Sequence, residues 1–480
     1  MVDEAADSLD KLVVQTASEE NILPSSPTPD HLRIFKLSVL DQIIFNFYIP
    51  LTLFYLNNNT SDLSSVILNR SKILKHALSK TLSRFYPLAG KIKDTHHIEC
   101  NDEGVYYIQT QVNTHLTDFL GQSPGPGNEI LSLLVPQNAK ESAKGSYVLM
   151  IQENVFSCGG VAICACINHK YVDGDTYTLF LRHWVAAARG SAETTYPSFP
   201  APTLFPQISS LNFPNPDWFG KSEFVSQRFV FDSSHLAALK SKAMSSTSET
   251  APTRFEVVAA LLWKCYAKAA YKLSNNSLEK PFVLGMLINL RGKNCIPKNA
   301  VGNLVWTGLA ECKLVTDLDD NFIVSQIQKS KAEINDDFFE VLKGDTGLAT
   351  ILHYTEMIMK SQEVCFPLLI TSMCNMGVYE HDFGEGKPTW FYYGNVNLVN
   401  FISLCETRVG GGLEAVVSLK KEEMAIFEND PELLAFTTLN PAPLLGGGME
   451  AVMSLSKEEM AIFENDPELL TFISLNPAPL

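Results

Sequence analysis

The sequence has no excess of positive charge, no long apolar run and no glycine loop of the kind that binds phosphate. Its 480 residues carry a formal net charge of −16, which disfavours binding to nucleic acid or to an anionic membrane. No apolar run approaches the roughly 20 residues needed to span a bilayer. Neither G-x-x-x-x-G-K-[ST] nor G-x-G-x-x-G occurs, so nucleoside triphosphates and Rossmann-bound dinucleotides have no support, whereas coenzyme A remains open. We therefore expect neither nucleic acid nor membrane among its partners.

The ten cysteines form neither a disulfide framework nor a zinc-binding spacing, so we expect reduced thiols and no metal site. The acidic N-terminus, MVDEAADSLD, does not resemble a signal or transit peptide, and we therefore expect a cytoplasmic protein. A hydrophobic content of 46% over this length predicts a large core and two or three domains.

Strand-like and helix-like segments recur along the chain, which predicts a mixed α/β fold. The apolar run VAICACIN (161–168) predicts a strand that ends at His169. After the turn YVDGD, the segment Thr176–Arg189 predicts a helix that Gly190 closes. Residues 191–220 are rich in proline and serine, so they are the best candidate for an interdomain linker.

The C-terminal end of the sequence is a duplication. Residues 410–444 reappear as residues 446–480, with differences at six of 35 positions. A single copy is too few for a solenoid, so the repeat is one strand–helix unit copied once. A preceding strand leads into the first copy through Gly410–Gly412, as in a hairpin, whereas prolines precede the second copy. We therefore expect the first copy to occupy the native place in the sheet.

The stretch HKYVDG (169–174) places a histidine and an aspartate four positions apart. A histidine at the end of a strand can face a cleft, and its usual pKa of about 6.5 leaves it mostly neutral, as a general base must be. Asp173 could hold the imidazole ring, or it could pair elsewhere and stabilise the turn. The H-x-x-x-D spacing also arises by chance, so the spacing alone favours a structural pair over a catalytic one.

A basic region of the chain favours a ligand that is rich in phosphate groups. Residues 235–300 contain ten Lys/Arg and three Glu, which gives 10 − 3 = +7 within a protein of net charge −16. Such a region can be a solvated face, but its bias also suits the phosphates of coenzyme A.

HKYVDG together with DFGEGKP (382–388) resembles the paired H-x-x-x-D-G and D-F-G-W-G signatures of the plant BAHD acyltransferases. The resemblance continues in LSVLDQI, FYPLAGKI, NLRGK, AVGNLV and GGGLEAVVSL, and it covers residues 20–444 in the right order. It is strongest to the alkaloid acetyltransferase branch. It implies two chloramphenicol-acetyltransferase-like domains, with a channel between them that admits acyl-CoA and an acceptor alcohol. The domains would span residues 1–205 and 223–444, with the end of the linker at 206–222 and a tail at 445–480.

The resemblance also implies roles for individual residues. His169 would take the hydroxyl proton and then protonate the leaving thiolate, while Asp173 would pair with Arg291. The other implied residues are Thr371 at the oxyanion, Lys240 and Thr253 at coenzyme A, and Asp382 and Gly384 in the second signature. No cofactor would be bound, because acyl-CoA is a co-substrate, and the enzyme would be a monomer.

Three alternatives remain at this point. Glu385 stands where the family has tryptophan, and with the duplicated tail it allows a catalytically weakened, ligand-binding paralogue. An enzyme that acylates phenolic or amine acceptors would share every motif. A malonyl donor would need a basic partner, and residues 395–406 offer none, which favours acetyl.

Overall fold

The computed structural model describes residues 12–57, 62–121, 129–137, 145–191, 195–215, 223–244, 251–274, 280–293, 296–313, 319–343, 347–394 and 398–441. Its strands are β1 Val14–Ile22, β2 Ile34–Lys36, β3 Tyr48–Tyr55, β4 Lys91–Ile92, β5 His97–Glu99, β6 Val105–Val112, β7 Leu149–Phe156, β8 Val161–Asn168, β9 Phe224–Phe231, β10 Phe282–Asn289, β11 Val305–Cys312, β12 Phe366–Ser372, β13 Trp390–Tyr393, β14 Phe401–Glu406, β15 Leu413–Lys420 and β16 Thr438–Leu439. Its α-helices are α1 Val39–Gln42, α2 Leu63–Leu82, α3 Leu116–Gly121, α4 Glu129–Ser132, α5 Gly174–Ala188, α6 Ala201–Leu204, α7 Ser233–Lys242, α8 Arg254–Leu273, α9 Asp320–Ala332, α10 Asp336–Lys343, α11 Gly347–Val364, α12 Lys421–Phe427 and α13 Pro431–Leu434.

The N-terminal half is built on a six-stranded sheet in the order β1-β6-β7-β8-β3-β13. Every residue of β7 and β8 is buried, as expected of central strands covered on both faces. Helices α2 and α5 contribute Leu78, Phe180 and Trp184 to the core of this half. The predicted strand at 161–168 is confirmed, and His169 follows its last residue.

The C-terminal half is built on a seven-stranded sheet in the order β11-β10-β12-β14-β15-β9-β16. Helix α8 packs behind this sheet and buries Val258, Leu262 and Trp263 in its core. The predicted hairpin of β14 and β15 is confirmed, with Gly410 and Gly411 at positive φ in its turn. The first copy of the duplication therefore lies in the sheet between β14 and β9. The second copy lies outside the described residues.

Strand β13 connects the two halves. It lies in the chain between β12 and β14 of the second sheet, yet it pairs antiparallel with β3 in the first sheet. This exchange could not be predicted from the sequence, because a four-residue apolar strand carries no signal that identifies its partner.

Part of the predicted linker is packed rather than extended through solvent. Within it, α6 forms a short helix, and Leu211 and Phe213 are buried in a cluster with Val39 and Trp306. This segment therefore helps to form the contact between the two halves.

Candidate active site

His169 is held through its backbone on both sides. It leaves β8 directly, and its N–H donates to the carbonyl of Phe47 at 2.8 Å. Its own carbonyl accepts a hydrogen bond from Asn303 Nδ2 at 2.9 Å. The imidazole lies 5.2 Å from the Phe47 ring, measured between centroids. The orientation of His169 is therefore set by segments from both halves of the chain.

The two ring nitrogens of His169 have different surroundings. Nδ1 is buried and has no hydrogen bond to a described residue. Nε2 is not among the buried unpaired atoms and stays open. Burial lowers the pKa of His169 below its ordinary value and outweighs the opposing effects of its own backbone carbonyl, of the Asp173 charge and of the Asn303 side chain. The ring is therefore neutral at physiological pH.

Asp173 makes no hydrogen bond to His169 and instead forms a bidentate pair with Arg291. Arg291 Nη1 donates to Oδ2 at 2.7 Å, and Nη2 donates to Oδ1 at 2.9 Å. The two carboxylate oxygens also accept the backbone N–H groups of Thr176 and Leu304 at 2.9 and 3.0 Å. Asp173 is thus the N-cap of α5, which is why the helix begins at Gly174, two residues earlier than predicted.

The pair is almost fully enclosed, since each side chain is 3% exposed. Burial alone would raise the pKa of Asp173, but the Arg291 charge and the four hydrogen bonds hold it below its ordinary value. Arg291 also donates from Nε to the Ala300 carbonyl and from Nη2 to the Gly302 carbonyl. The ion pair therefore joins the turn after His169 to the loops around β10 and β11.

Asp41 and Asn303 complete this arrangement, although neither was predicted from the sequence to have a role. Asp41 Oδ1 accepts the backbone N–H of Asn303 at 2.7 Å and its Nδ2 at 3.0 Å. The other carboxylate oxygen is held by the N–H and hydroxyl of Ser38. Burial raises the pKa of Asp41 against these hydrogen bonds. The only indication of these two residues in the sequence was their position in LSVLDQI and AVGNLV, two of the segments that carry the family resemblance.

Lys170 is buried beside His169 and makes no salt bridge to a described carboxylate, although Asp41 is near enough to favour its charged form. Its Nζ donates to the carbonyls of Gln42 and Ile44 at 2.9 and 3.2 Å, at the end of α1. Burial lowers its pKa to about 8. A cation at a helix C-terminus is favourable, so Lys170 anchors α1 and with it Asp41.

Thr371 lies on the face of the second sheet that looks toward the first sheet. Its strand neighbour Leu369 packs in a cluster with Phe47, Tyr393 and Phe401. Through Phe47, this cluster adjoins the His169 ring. Neither Thr371 nor its register partner Ser403 has a side-chain hydrogen bond to a described residue, so both hydroxyls are available to a ligand.

The DFGEG loop lies away from this site. Asp382 accepts the N–H groups of Gly384 and Gly386 at 2.8 and 2.9 Å and pairs with Arg189, just after α5. Gly384 has φ +114°, a conformation that disfavours other residues. Since α5 has 15 residues at about 1.5 Å each, the loop is about 20 Å from the turn at Asp173.

The structure does not bring Lys240 and Thr253 to His169. Thr253 is the exposed N-cap of α8, and its hydroxyl accepts the N–H of Glu256 at 3.2 Å. Lys240 is half-buried in the last turn of α7. Neither makes a contact with the residues around His169 that the structure records.

Two further observations concern metal binding and membrane insertion. In the part of the chain that the structure describes, no group of three or more His, Cys, Asp or Glu could hold a metal ion. Among the same residues, no helix is long and apolar enough to cross a membrane.

Comparison with known proteins finds a matching family profile, related acetyltransferases and a related crystal structure. Residues 12–434 match the profile of the Transferase family. The limonoid 7-O-acetyltransferase of Citrus sinensis is 38% identical, over 89% of this chain and 98% of its own. Stemmadenine O-acetyltransferase of Catharanthus roseus is 32% identical, over 87% and 96%. The crystal structure of vinorine synthase superposes with a TM-score of 0.74 at 30% identity, over 88% and 98%. The expected two-domain, chloramphenicol-acetyltransferase-like fold is confirmed.

Proposed function

Because this chain belongs to the Transferase family of BAHD acyltransferases, we propose that it transfers an acetyl group from acetyl-CoA to a hydroxyl of a polycyclic plant metabolite, with His169 as general base. The observation that carries the proposal is the His169 ring, which is neutral, is fixed by its backbone and keeps Nε2 open.

The reaction needs one proton to move twice. His169 Nε2 takes the proton of the acceptor hydroxyl as the oxygen attacks the thioester carbonyl. The tetrahedral intermediate then collapses, the C–S bond breaks, and the thiolate of coenzyme A takes the proton back from Nε2. No acyl-enzyme is needed. The lowered pKa of His169 suits this role, since the ring starts neutral and gives up its proton readily.

The charged ring that forms in between needs support from the side of Nδ1. Asn303 Oδ1 is buried and unpaired within the described residues, as is His169 Nδ1. The Asn303 side chain already favours the charged form of the ring. In the proposed mechanism, the neutral ring carries its proton on Nδ1, and this Nδ1–H donates to Asn303 Oδ1 as the imidazolium forms. Asp173 acts as a positioning residue, because both of its oxygens are occupied by Arg291 and backbone N–H groups.

The developing oxyanion needs a hydrogen-bond donor. The hydroxyl of Thr371 is the candidate, since it has no partner among the described residues and lies on the face that adjoins Phe47 and His169. One such donor is typically worth about 3–4 kcal/mol in the transition state. Lys240 and Thr253 remain candidates for contacts with coenzyme A because of the family resemblance. The charge of the basic region gives them little support, because Lys242, Lys264 and Lys268 pair with Asp320, Asp430 and Glu432.

The acceptor is proposed as a polycyclic alcohol. The sequence resemblance favoured a monoterpenoid indole alkaloid, and the relatives include both limonoid and alkaloid acetyltransferases. A monomeric, cytoplasmic enzyme remains part of the proposal. The rival hypothesis of a weakened paralogue relied on Glu385 and on the duplicated tail. The Glu385 loop lies at the far end of α5 from the Asp173 turn, which gives the rival no support, and the second copy of the duplication lies outside the described residues.

The test is a reaction panel. The purified protein is incubated with acetyl-, malonyl- and benzoyl-CoA and with limonoid and alkaloid alcohols, and products are identified by mass spectrometry. Acetyl transfer to at least one alcohol by the wild type, absent from His169→Ala, is the expected result. A wild type that binds the alcohols but transfers no acyl group would contradict the proposal and would favour the ligand-binding paralogue.

A further inference from the structure

The chain from the end of α1 to the start of β3, residues 42–47, lies against the end of β8 and is called the α1–β3 segment. Its residues 43–47 belong to no helix or strand, so most of its backbone polar groups find no partner in a helix or a sheet ladder. The segment carries Phe47, whose ring lies 5.2 Å from the His169 ring, and Phe45, which packs in the same apolar cluster. The position of this segment therefore sets one side of the candidate site.

Three consecutive residues at the end of β8 hold the α1–β3 segment. Asn168 Nδ2 donates to Asn46 Oδ1 at 2.9 Å, and the His169 N–H donates to the Phe47 carbonyl at 2.8 Å. These two bonds hold the half of the segment nearer to β3. The half nearer to α1 is held by the third residue, Lys170.

Lys170 uses a charged group for this contact. Its Nζ donates to the carbonyls of Gln42 and Ile44 at 2.9 and 3.2 Å. The residue is only 4% exposed, and burial lowers its pKa from the ordinary 10.5 to about 8. A buried ammonium group therefore destabilises the folded protein at neutral pH relative to an apolar side chain of the same length. A residue that lowers stability next to the proposed base is expected where activity requires it.

The surroundings of Lys170 contain one group that favours its charge. The charged and titratable residues nearest to it on the neighbouring elements are Asp41 on α1, His169 and Tyr171 beside it in the chain, Tyr48 in β3 and Asp94 before β5. The charge of Asp41 raises the pKa of Lys170, but burial outweighs it. Asp41 in turn accepts the backbone N–H of Asn303, so α1 connects Lys170 to the second residue that holds His169.

We propose that Lys170 is a positioning residue for acetyl transfer, whose ammonium group fixes the α1–β3 segment and thereby holds Phe47 against the imidazole of His169. The inference rests on the proposed function and adds a residue to it. Lys170 does not touch the reacting atoms. When its two hydrogen bonds are lost, Phe47 moves away from the ring and water reaches it, so the pKa of His169 returns toward its ordinary value.

Lys170→Met tests the proposal, because methionine is similar in length and has neither the charge nor the donors. We expect kcat to fall about 10- to 100-fold, the range for a small displacement of catalytic groups, with the KM for acetyl-CoA unchanged. The acid limb of kcat/KM should move up toward about pH 6.5, because burial no longer lowers the pKa of His169 as far. Lys170→Arg keeps a cation with N–H donors and should recover most of kcat.

Stability provides a second readout. Because the pKa of Lys170 is about 8 in the folded protein and 10.5 ordinarily, the unfolded chain binds more protons between these two pH values. Wild-type stability gains from this difference as the pH rises through that range, and Lys170→Met lacks the gain. The melting temperature of the wild type minus that of the variant should therefore increase from pH 8 to 10.5. A constant difference would contradict the buried ammonium group on which the inference depends.

Two further variants serve as controls. Lys75→Met removes a partly buried lysine that pairs with Glu20 at 2.7 Å, at the β1 edge of the first sheet, and it should leave kcat and the acid limb unchanged. If Lys170→Met does not fold, Asn46→Ala releases the same segment from Asn168 and should give the same lower kcat and raised acid limb.

The pKa of His169 can also be measured without turnover, from the pH dependence of its modification by diethyl pyrocarbonate, with the modified histidine identified by mass spectrometry. A Lys170→Met variant with the wild-type kcat, or with a lower kcat and the wild-type pKa of His169, would overturn the inference. Absence of acyl transfer by the wild type with every donor and acceptor would instead contradict the proposed function, and the modification experiment would still decide whether Lys170 positions His169.

Discussion

Replacing Asp173 by asparagine separates a positioning role from a catalytic one. In the wild type, each carboxylate oxygen accepts one Arg291 N–H and one backbone N–H. An asparagine keeps one of these oxygens and places an NH₂ group against the two donors that faced the other. Arg291, at 3% exposure, is then a buried cation without a counter-charge.

The expected loss follows from that geometry. Removing one partner of a buried ion pair lowers the free energy of unfolding by about 3–5 kcal/mol. For a cooperative unit of 150–250 residues, 1 kcal/mol corresponds to about 2–4 °C, so we expect a melting temperature lower by about 6–20 °C. Because the pKa of Asp173 is held below its ordinary value of about 3.9, the ion pair contributes its full stabilisation to the folded protein at neutral pH. It is lost only as the pH falls through the lowered value.

Differential scanning calorimetry at pH 7 measures the change, with activity recorded below the variant's own transition. The control is Asp173→Asn/Arg291→Met, which removes the stranded cation and should recover more than half of the lost stability. A variant with the wild-type melting temperature and no activity would refute the reasoning, because Asp173 would then act directly on the imidazole.

Three further changes test other parts of the account. Asn303→Ala should lower kcat about 10- to 100-fold with little change in the KM for acyl-CoA. Because Asn303 raises the pKa of His169, the variant should also move the acid limb of the pH–rate profile to lower pH. An acid limb at the wild-type pH would mean that Asn303 is only structural. Glu385→Trp should raise the melting temperature and leave the acceptor KM unchanged, and a large shift in acceptor selectivity would place the loop at the site. Truncation after Leu444 should leave a folded protein with activity within about twofold of wild type. If truncation removes activity while deletion of 410–445 does not, the second copy is the native one.

The local features of the site were predictable because they depend on short stretches of sequence. The run VAICACIN has the apolar continuity of a buried strand, and His169 follows it in the structure as predicted. The glycine turn before β15 identified the first copy of the duplication as the one with a partner strand. The Asp173–Arg291 pair came from the family resemblance and not from spacing, which left the aspartate's partner open.

Contacts between residues far apart in the sequence could not be predicted, because they depend on how the chain folds. Asp41 reaches Asn303 across 262 residues of chain, and no local pattern encodes such a distance. Strand β13 joins the first sheet because β3 offers an unpaired edge, a fact that exists only in the folded protein. Arg228 on β9 forms an ion pair with Glu414 on β15, and this pair likewise depends on the register of the two strands. Each of these contacts is set by tertiary packing.

The pH dependence of kcat/KM, measured for the wild type and for His169→Ala with acetyl-CoA and an accepted alcohol, tests whether His169 is the general base. We expect the wild-type rate to rise with pH through a single ionisation below about 6.5 and to be level at pH 7, because burial lowers the pKa of His169. We expect His169→Ala to lose about 10²–10⁴ in rate and also to lose that ionisation, while the melting temperature stays close to wild type. A His169→Ala variant that keeps more than about a tenth of the wild-type rate, or that keeps the same acid limb, would contradict this role.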